Sequence, residues 1–230
     1  HRVRRQRQMC IRDRKGTHPA AGHCNASLLA TQASSGWDLR LNEGAWVWPE
    51  LPAASPSLAL QRPLSWTASA QRIWPAQVGL LGTLGHVVLV PSVDGLDIQG
   101  SAGTGGLRLL NTSLGLSAED LSCEAQWSEG TLALDMNLDR VRWRGIDLAK
   151  AEVSAKWANP QVQYSLQGMD STRAPLLEVR GSTSLRNPEQ LRSRISLNQA
   201  PAAWGQAWVS EAWLSFDGQV SGQVGVGGSI

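Results

Sequence analysis

Charged residues are scarce in this sequence: they make up 17% of 230 residues, against roughly 25% in an average globular domain. The basic residues are also unevenly placed, because six of the 21 Lys+Arg residues are arginines within His1–Arg14. Without these six and Asp13, the remaining Lys15–Ile230 holds 15 basic and 18 acidic residues. We therefore expect no nucleic-acid partner, which would need positive charge on a folded face.

Long apolar runs and cysteines are few as well. The longest apolar run, Val78–Val90, has 13 residues and contains His86, whereas a membrane-spanning helix needs about 18. Besides Cys10 there are only Cys24 and Cys123, and the sequence leaves open whether these two form a disulfide.

Motifs for nucleophilic, zinc and phosphate chemistry are missing. The chain has no G-x-S-x-G or H-E-x-x-H. The glycines of 79–85 and 100–106 lack both the context of a dinucleotide fingerprint and the G-K-[ST] of a phosphate loop. His18, His23 and Cys24 match no zinc spacing, and His86 is interpreted as a structural imidazole. We expect no metal and no cofactor.

Carboxylate pairs are the remaining catalytic candidates. Glu119/Asp120 and Asp135/Asp139 are close in sequence, as paired acids of glycosidases are close in space. Strand alternation places Asp135 and Asp139 on a polar face, where solvated charge is ordinary. We therefore expect that the protein is not an enzyme.

The first residues have a separate interpretation. Met9–Arg14 spells MCIRDR, which resembles the translation of a sequencing-library adaptor, and the polar Lys15–Cys24 does not continue it as a signal peptide. We expect residues 1–14 to be a non-native tail and 15–35 a flexible segment. Residues 36–230 are predicted to form a single β-rich domain, a fragment of a longer protein.

Alternation of apolar and polar residues with a period of two dominates the chain from Gly36 onward. Some dozen short alternating segments, separated by turn residues at about ten-residue spacing, predict an antiparallel sheet. The predicted class is all-β: a curved antiparallel sheet or open sandwich of short strands with one or two short helices. Each strand has one apolar and one polar face.

Several local features are predicted within this pattern. Ala76–Leu84 is the best helix candidate of the first half, and Asn187–Arg192 is a candidate helical turn. Leu107–Leu110 is predicted as a short strand. Apolar parity changes between Leu138 and Val141, which predicts a bulge or turn near Asp139–Arg140.

Tryptophan is abundant: there are eleven, against one Tyr and one Phe. Trp66, Trp143 and Trp157 share the parity of neighbouring aliphatic residues, which favours a core or apolar groove over a sugar-stacking platform. The better candidates for exposed rings are Trp46, Trp48, Trp204 and Trp208.

Two segments carry a family resemblance: GTLALDMNLDRVRWRGIDLAKAEVSAKW at 130–157 and LSFDGQVSGQVGV at 214–226. Their short strands marked by Trp and Gly resemble those of AsmA-like envelope proteins of Gram-negative bacteria. That group includes intermembrane lipid-transport proteins of the YdbH and TamB type, and the resemblance covers about residues 95–226.

The resemblance implies a non-enzymatic periplasmic segment whose parent protein is anchored in the inner membrane outside this fragment. It would bind or conduct lipid along an apolar concave sheet face, with phospholipid or envelope proteins as partners. Nine residues are the candidates for lining that face: Leu132, Leu134, Met136, Leu138, Val153, Trp157, Val162, Tyr164 and Leu166.

Two alternatives remain open. The short-strand texture is also similar to that of the type II secretion protein N, which implies a scaffold acting through protein contacts. Exposed tryptophans would instead make the chain a carbohydrate-binding module.

Overall fold

A computed structural model of the chain describes residues 7–9, 23–34, 36–47, 57–69, 73–184, 186, 191–208 and 218–228. These residues form mostly antiparallel strands, with one α-helix and one 3-10 helix among them. The predicted all-β class is confirmed. Contacts divide the chain into two compact units, His1–Gly106 and Leu107–Ile230. The single domain expected over 36–230 stays a prediction.

The described part of the first unit contains eight strands. They are β1 Arg7–Met9, β2 His23–Ala33, β3 Gly36–Val47, β4 Ser57–Leu60, β5 Leu64–Ala68, β6 Val78–Gly82, β7 Gly85–Pro91 and β8 Gly95–Ala102. In order of hydrogen bonding, the sheet runs β1-β2-β3-β4-β6-β7-β8, and β5 pairs with β3 beside β4.

The described part of the second unit contains eight further strands, and the α-helix α1, Thr104–Leu114, begins just before this unit. The strands are β9 Leu116–Ser117, β10 Asp120–Ser128, β11 Thr131–Trp143, β12 Ile146–Ala158, β13 Gln161–Met169, β14 Pro175–Ser184, β15 Leu191–Pro201 and β16 Gln219–Gly228; a 3-10 helix, Ala202–Trp208, lies between the last two. The sheet runs in sequence order from β10 to β16, and β9 pairs with β11.

Two-residue turns set the register of the second sheet. Glu129–Gly130 joins β10 to β11 with φ of 49° and 75°, and Arg144–Gly145 joins β11 to β12 with φ of 46° and 83°. Two successive positive φ values are typical of the type I′ turn, whose twist matches that of paired strands. These turns therefore place the apolar residues of β10, β11 and β12 opposite one another on the same face of the sheet.

The helix predicted over Ala76–Leu84 is wrong. Val78–Gly82 is strand β6, in which Leu81 lies opposite both Ala59 of β4 and His86 of β7. Gly79 and Gly82 explain the outcome, because glycine weakens a helix while cross-strand pairing on both sides satisfies the backbone.

The observed α-helix, α1, lies where a turn and a strand were predicted. Leu107 and Leu110 are three residues apart, so both fall on one helical face, and Leu110 packs against the core of the second unit. At the end of the helix the indole Nε1 of Trp143 donates a hydrogen bond to the carbonyl of Leu114, at 3.1 Å. Tertiary contacts therefore stabilise a helix where the short apolar run alone favours a strand.

Two further expectations concern segments that the structure describes only in part. The segment predicted as flexible over 15–35 contains strand β2, because pairing with β3 places Leu28 opposite Leu41 and Ala30 opposite Leu39. Of the predicted helical turn Asn187–Arg192, residues 187–190 lie outside the described residues, and Leu191 begins β15. The adaptor origin of residues 1–14 stays a prediction.

The predicted change of parity is confirmed, but no bulge produces it. Leu138 and Val141 are both buried in one cluster, and Arg140 between them has φ of 49°. No residue is inserted, because β11 keeps one register with β12 on both sides of Arg140. The left-handed conformation of Arg140 thus lets Leu138 and Val141 enter the same buried cluster although their parity differs.

Further irregularities continue this line across the sheet: the register of β13 with β14 shifts at Gly168/Met169, and that of β15 with β16 shifts between Leu197 and Ala200. We call this line the parity switch. The buried core lies along it, and consists of Leu138, Val141, Ile146, Leu148, Ala151, Ala200 and Trp204.

None of the helices in the described part of the chain has the length and apolar character needed to span a bilayer.

Candidate functional site

One face of the second sheet is apolar from β10 to β16. Residues paired across neighbouring strands form rows on this face, which we call the apolar face, and row 1 lies nearest the parity switch. Row 1 is Leu121, Leu138, Ala151, Gly168, Leu177, Leu197 and Gly222. Row 2 is Cys123, Met136, Val153, Leu166, Val179, Ile195 and Val224. Row 3 is Ala125, Leu134, Ala155, Tyr164, Gly181, Ser193 and Val226; row 4, over β10–β14, is Trp127, Leu132, Trp157, Val162 and Thr183.

The structure brings all nine predicted lining residues together on this face. They occupy three adjacent strands: Leu132, Leu134, Met136 and Leu138 on β11, Val153 and Trp157 on β12, and Val162, Tyr164 and Leu166 on β13. Alternation alone was sufficient to find them, because each strand is regular on this side of the parity switch.

The flanking strands supply residues that the prediction missed. Cys123 and Trp127 on β10, Val179 on β14 and Ile195 on β15 continue rows 2 and 4. The signal was present in β10, where Leu121, Cys123, Ala125 and Trp127 alternate with polar residues.

Burial of the apolar face decreases away from the parity switch. Leu138 in row 1 is 4% exposed, whereas Trp127 and Trp157 in row 4 are 48% and 37% exposed. Met136 and Leu134 between them are half-buried. Full burial on the apolar face is therefore confined to row 1, at Leu138, Ala151 and Gly168.

Trp204 of the 3-10 helix belongs to that covering. Its ring is 9% exposed and packs in the core with Leu138 and Ala200, so its predicted exposure is wrong. Trp46, Trp48 and Trp208 carry side chains that lie outside the described residues. Trp66 and Trp143 are half-buried, in line with their aliphatic parity.

Tyr164 forms a polar bridge within row 3. Its hydroxyl makes a hydrogen bond with Ser193 Oγ two strands away, and it passes over Gly181, where an added Cβ would overlap the phenol oxygen. Glycine at 181 therefore leaves the space that the ring occupies.

Cys123 has a free thiol in row 2. Burial raises the pKa of this thiol above its ordinary value, and the neighbouring charge of Glu124 raises it further. A raised pKa leaves the thiol protonated and poorly nucleophilic at neutral pH, which suits a lining residue rather than a nucleophile.

The four candidate carboxylates, Glu119, Asp120, Asp135 and Asp139, lie on or next to strands β10 and β11. The structure places Asp120 opposite Asp139, while Glu119 forms an ion pair with Arg140 at 2.7 Å. All three acids are exposed. Asp135 lies four residues before Asp139 on the same polar face of β11, where it lines a groove.

Metal and imidazole candidates gain no support. Within the residues that the structure describes, no three His, Cys, Asp or Glu are grouped as a metal site requires. His18 and the side chains of His23 and Cys24 lie outside the described residues. His86 is half-buried in β7, opposite Ser101.

The opposite face of the sheet is polar and contains a groove of about 940 Å³. We call it the polar groove; its charged lining residues are Asp135, Lys156, Arg180, Arg192 and Arg194. Two serine hydroxyls on its floor, Ser154 and Ser165, are 2.7 Å apart and bond to each other. This groove opens on the face opposite to the apolar rows, and Tyr164 is the predicted lipid-lining residue that also borders it.

No protein-family model, no curated protein and no solved structure matches this chain.

Proposed function

We propose that this protein binds phospholipid acyl chains on the apolar face, as a non-enzymatic lipid-binding or lipid-transfer segment of a periplasmic envelope protein. The observation that supports the proposal is that three of the apolar rows continue across seven strands, while fully buried residues occur only in row 1. Rows 2 to 4 remain half-buried or exposed, up to 61% at Val224. An apolar surface of this extent marks a binding site more often than an inert surface.

The chemistry of the face suits acyl chains. Its four rows contain no charged side chain, and burial of each CH₂ of a bound chain would contribute about 0.8 kcal/mol. Trp127 and Trp157 flank Leu132 in row 4, and indole rings favour positions with one apolar and one wet side.

Co-purification and quenching test the proposal together. We expect mass spectrometry of the purified protein to find phospholipid, and phospholipids brominated on their acyl chains to quench tryptophan fluorescence. Trp157→Gln should lower the bound lipid, whereas Ala158→Gln, one residue away on the polar face, should leave it unchanged. Absence of both lipid and quenching in the wild-type protein would contradict the proposal.

One observation weakens the carbohydrate alternative, and the same experiment distinguishes the scaffold alternative. A carbohydrate site that stacks sugars on the four rings predicted to be exposed would lack Trp204, because that ring is buried in the core. A scaffold similar to the type II secretion protein N would use the same apolar face for a protein, and then lipid would neither co-purify nor quench.

A further inference from the structure

The polar groove gathers positive charge on two neighbouring strands. Arg180 of β14 lies directly opposite Arg194 of β15, and Arg192 stands two residues before Arg194 on the same face. Side chains two residues apart on a strand have Cα atoms about 7 Å apart, and neighbouring strands are about 5 Å apart. Three guanidinium groups therefore come within reach of one small ligand.

Within the described residues, this charge is only partly neutralised. Arg180 forms an ion pair with Glu178. Among the described residues, no acid lies within ion-pair distance of Arg192 or Arg194. Like charges directly opposite each other destabilise a sheet, so the pair of Arg180 and Arg194 would be stabilised by an anion bound between them.

The neighbouring strand leaves room for such an anion. Gly225 and Gly227 of β16 lie opposite Arg194 and Arg192, and a Cβ added to Gly225 would meet nothing within 4 Å. On the other side Ser182 lies opposite Arg192 and offers a hydroxyl. The arginines thus border a wide surface without competing side chains on β16.

We propose that the polar groove binds a phosphate group through Arg192 and Arg194, with Arg180 beside them. Guanidinium groups form paired hydrogen bonds with phosphate oxygens, which an ammonium group does not. Lys156 stands three strands from Arg192, about 14 Å by strand spacing. The lining continues to Asp135 on β11, one strand beyond Lys156, so the groove is longer than one phosphate. The phosphate is that of a lipid headgroup or a free phosphate ester.

This site is on the face opposite to the proposed acyl-chain surface and does not depend on it. Titration calorimetry with inorganic phosphate at low ionic strength tests it. We expect saturable binding that weakens by about tenfold or more in Arg192→Gln/Arg194→Gln, since each lost charge-assisted hydrogen bond is strong. The double variant Arg192→Lys/Arg194→Lys should bind with intermediate affinity, which a general charge effect would not produce.

Controls separate the site from net charge and from lipid binding. Arg108→Gln on the exposed side of α1 and Trp157→Gln on the apolar face should leave phosphate affinity unchanged. Vesicles of phosphatidylcholine with and without phosphatidylglycerol then identify the source: binding that requires phosphatidylglycerol and both arginines assigns a headgroup, and phosphate binding without vesicle binding assigns a free ester. Equal phosphate affinity in the glutamine variant and the wild-type protein would overturn the proposal.

Discussion

The side chain of Leu148 fills the space above Gly168, so that a Cβ added to Gly168 would lie 2.7 Å from Leu148 Cδ1. Leu148 is buried in the core along the parity switch and has little freedom to move aside. We expect Gly168→Ala to lower the free energy of unfolding by about 1–3 kcal/mol, as overpacking of a core does. Urea denaturation measures the change.

Gly222 offers a matched control, because it belongs to the same row and a Cβ added there meets nothing within 4 Å. Gly222→Ala should be neutral or slightly stabilising, through the lower entropy of the unfolded chain. Equal destabilisation by both substitutions would show that row 1 is not packed as described.

Tyr164 and Ser193 should contribute stability as a pair. Their hydroxyl groups bond across β14 in a half-buried site, and such a bond contributes about 0.5–1.5 kcal/mol. We expect Tyr164→Phe and Ser193→Ala each to lower stability by this amount, and the double variant to lose little more than either. Additive losses in this double-mutant cycle would mean that the bond is absent in solution.

Asp170 should make stability depend on acid pH. Its Oδ1 accepts hydrogen bonds from Thr172 Oγ1 at 2.7 Å, Thr172 N at 2.8 Å and Ala174 N at 2.9 Å in the turn from β13 to β14. The bond from the Thr172 side chain, followed by that from the Ala174 backbone, lowers the pKa of this carboxyl. Its stabilisation is present above the ordinary Asp pKa near 4 and is lost as pH falls through the lowered pKa.

Denaturation of Asp170→Ala and the wild-type protein between pH 7 and pH 3 measures this contribution. The difference in stability should be largest at neutral pH and shrink in acid. Asp170→Asn keeps an acceptor oxygen but does not titrate, so its difference from Asp170→Ala should stay constant with pH. A wild-type advantage that grew in acid would reverse the assigned direction.

The apolar face was predictable because it depends on alternation alone. Leu132 to Leu138 and Val162 to Leu166 obey the two-residue period of a strand, and short turns such as Glu129–Gly130 bring them together. What lies above row 1 was not predictable. Trp204 enters the core from a 3-10 helix after β15, and local sequence carries no information on so distant a partner.

The helix was misplaced for a related reason. Gly105 and Gly106 indicate a turn by local propensity, yet in α1 they allow close approach to the β6–β7 turn: a Cβ on Gly105 would lie 2.7 Å from the carbonyl oxygen of Thr83. Helix formation there rests on tertiary packing, which outweighs propensity.

The polar groove was not predicted from the sequence, because Arg180 and Arg194 are distant in sequence and meet only through the β14–β15 register.

Cys123 reports directly on whether the apolar face is covered. In a Cys10→Ser/Cys24→Ser variant it is the single thiol, and its raised pKa should make iodoacetamide alkylation of the folded protein slower than that of the urea-unfolded chain at pH 8. Because the folded state keeps this proton to higher pH than the unfolded chain, stability should fall as pH rises above the ordinary thiol pKa near 8.5. Equal rates in the folded and unfolded protein would contradict the partial burial of row 2.

The same alkylation also tests whether lipid covers Cys123. Phospholipid bound over row 2 should slow alkylation of the folded protein further, whereas the same lipid should leave the rate in urea unchanged. An unchanged rate in the folded protein with lipid would argue against acyl chains at Cys123.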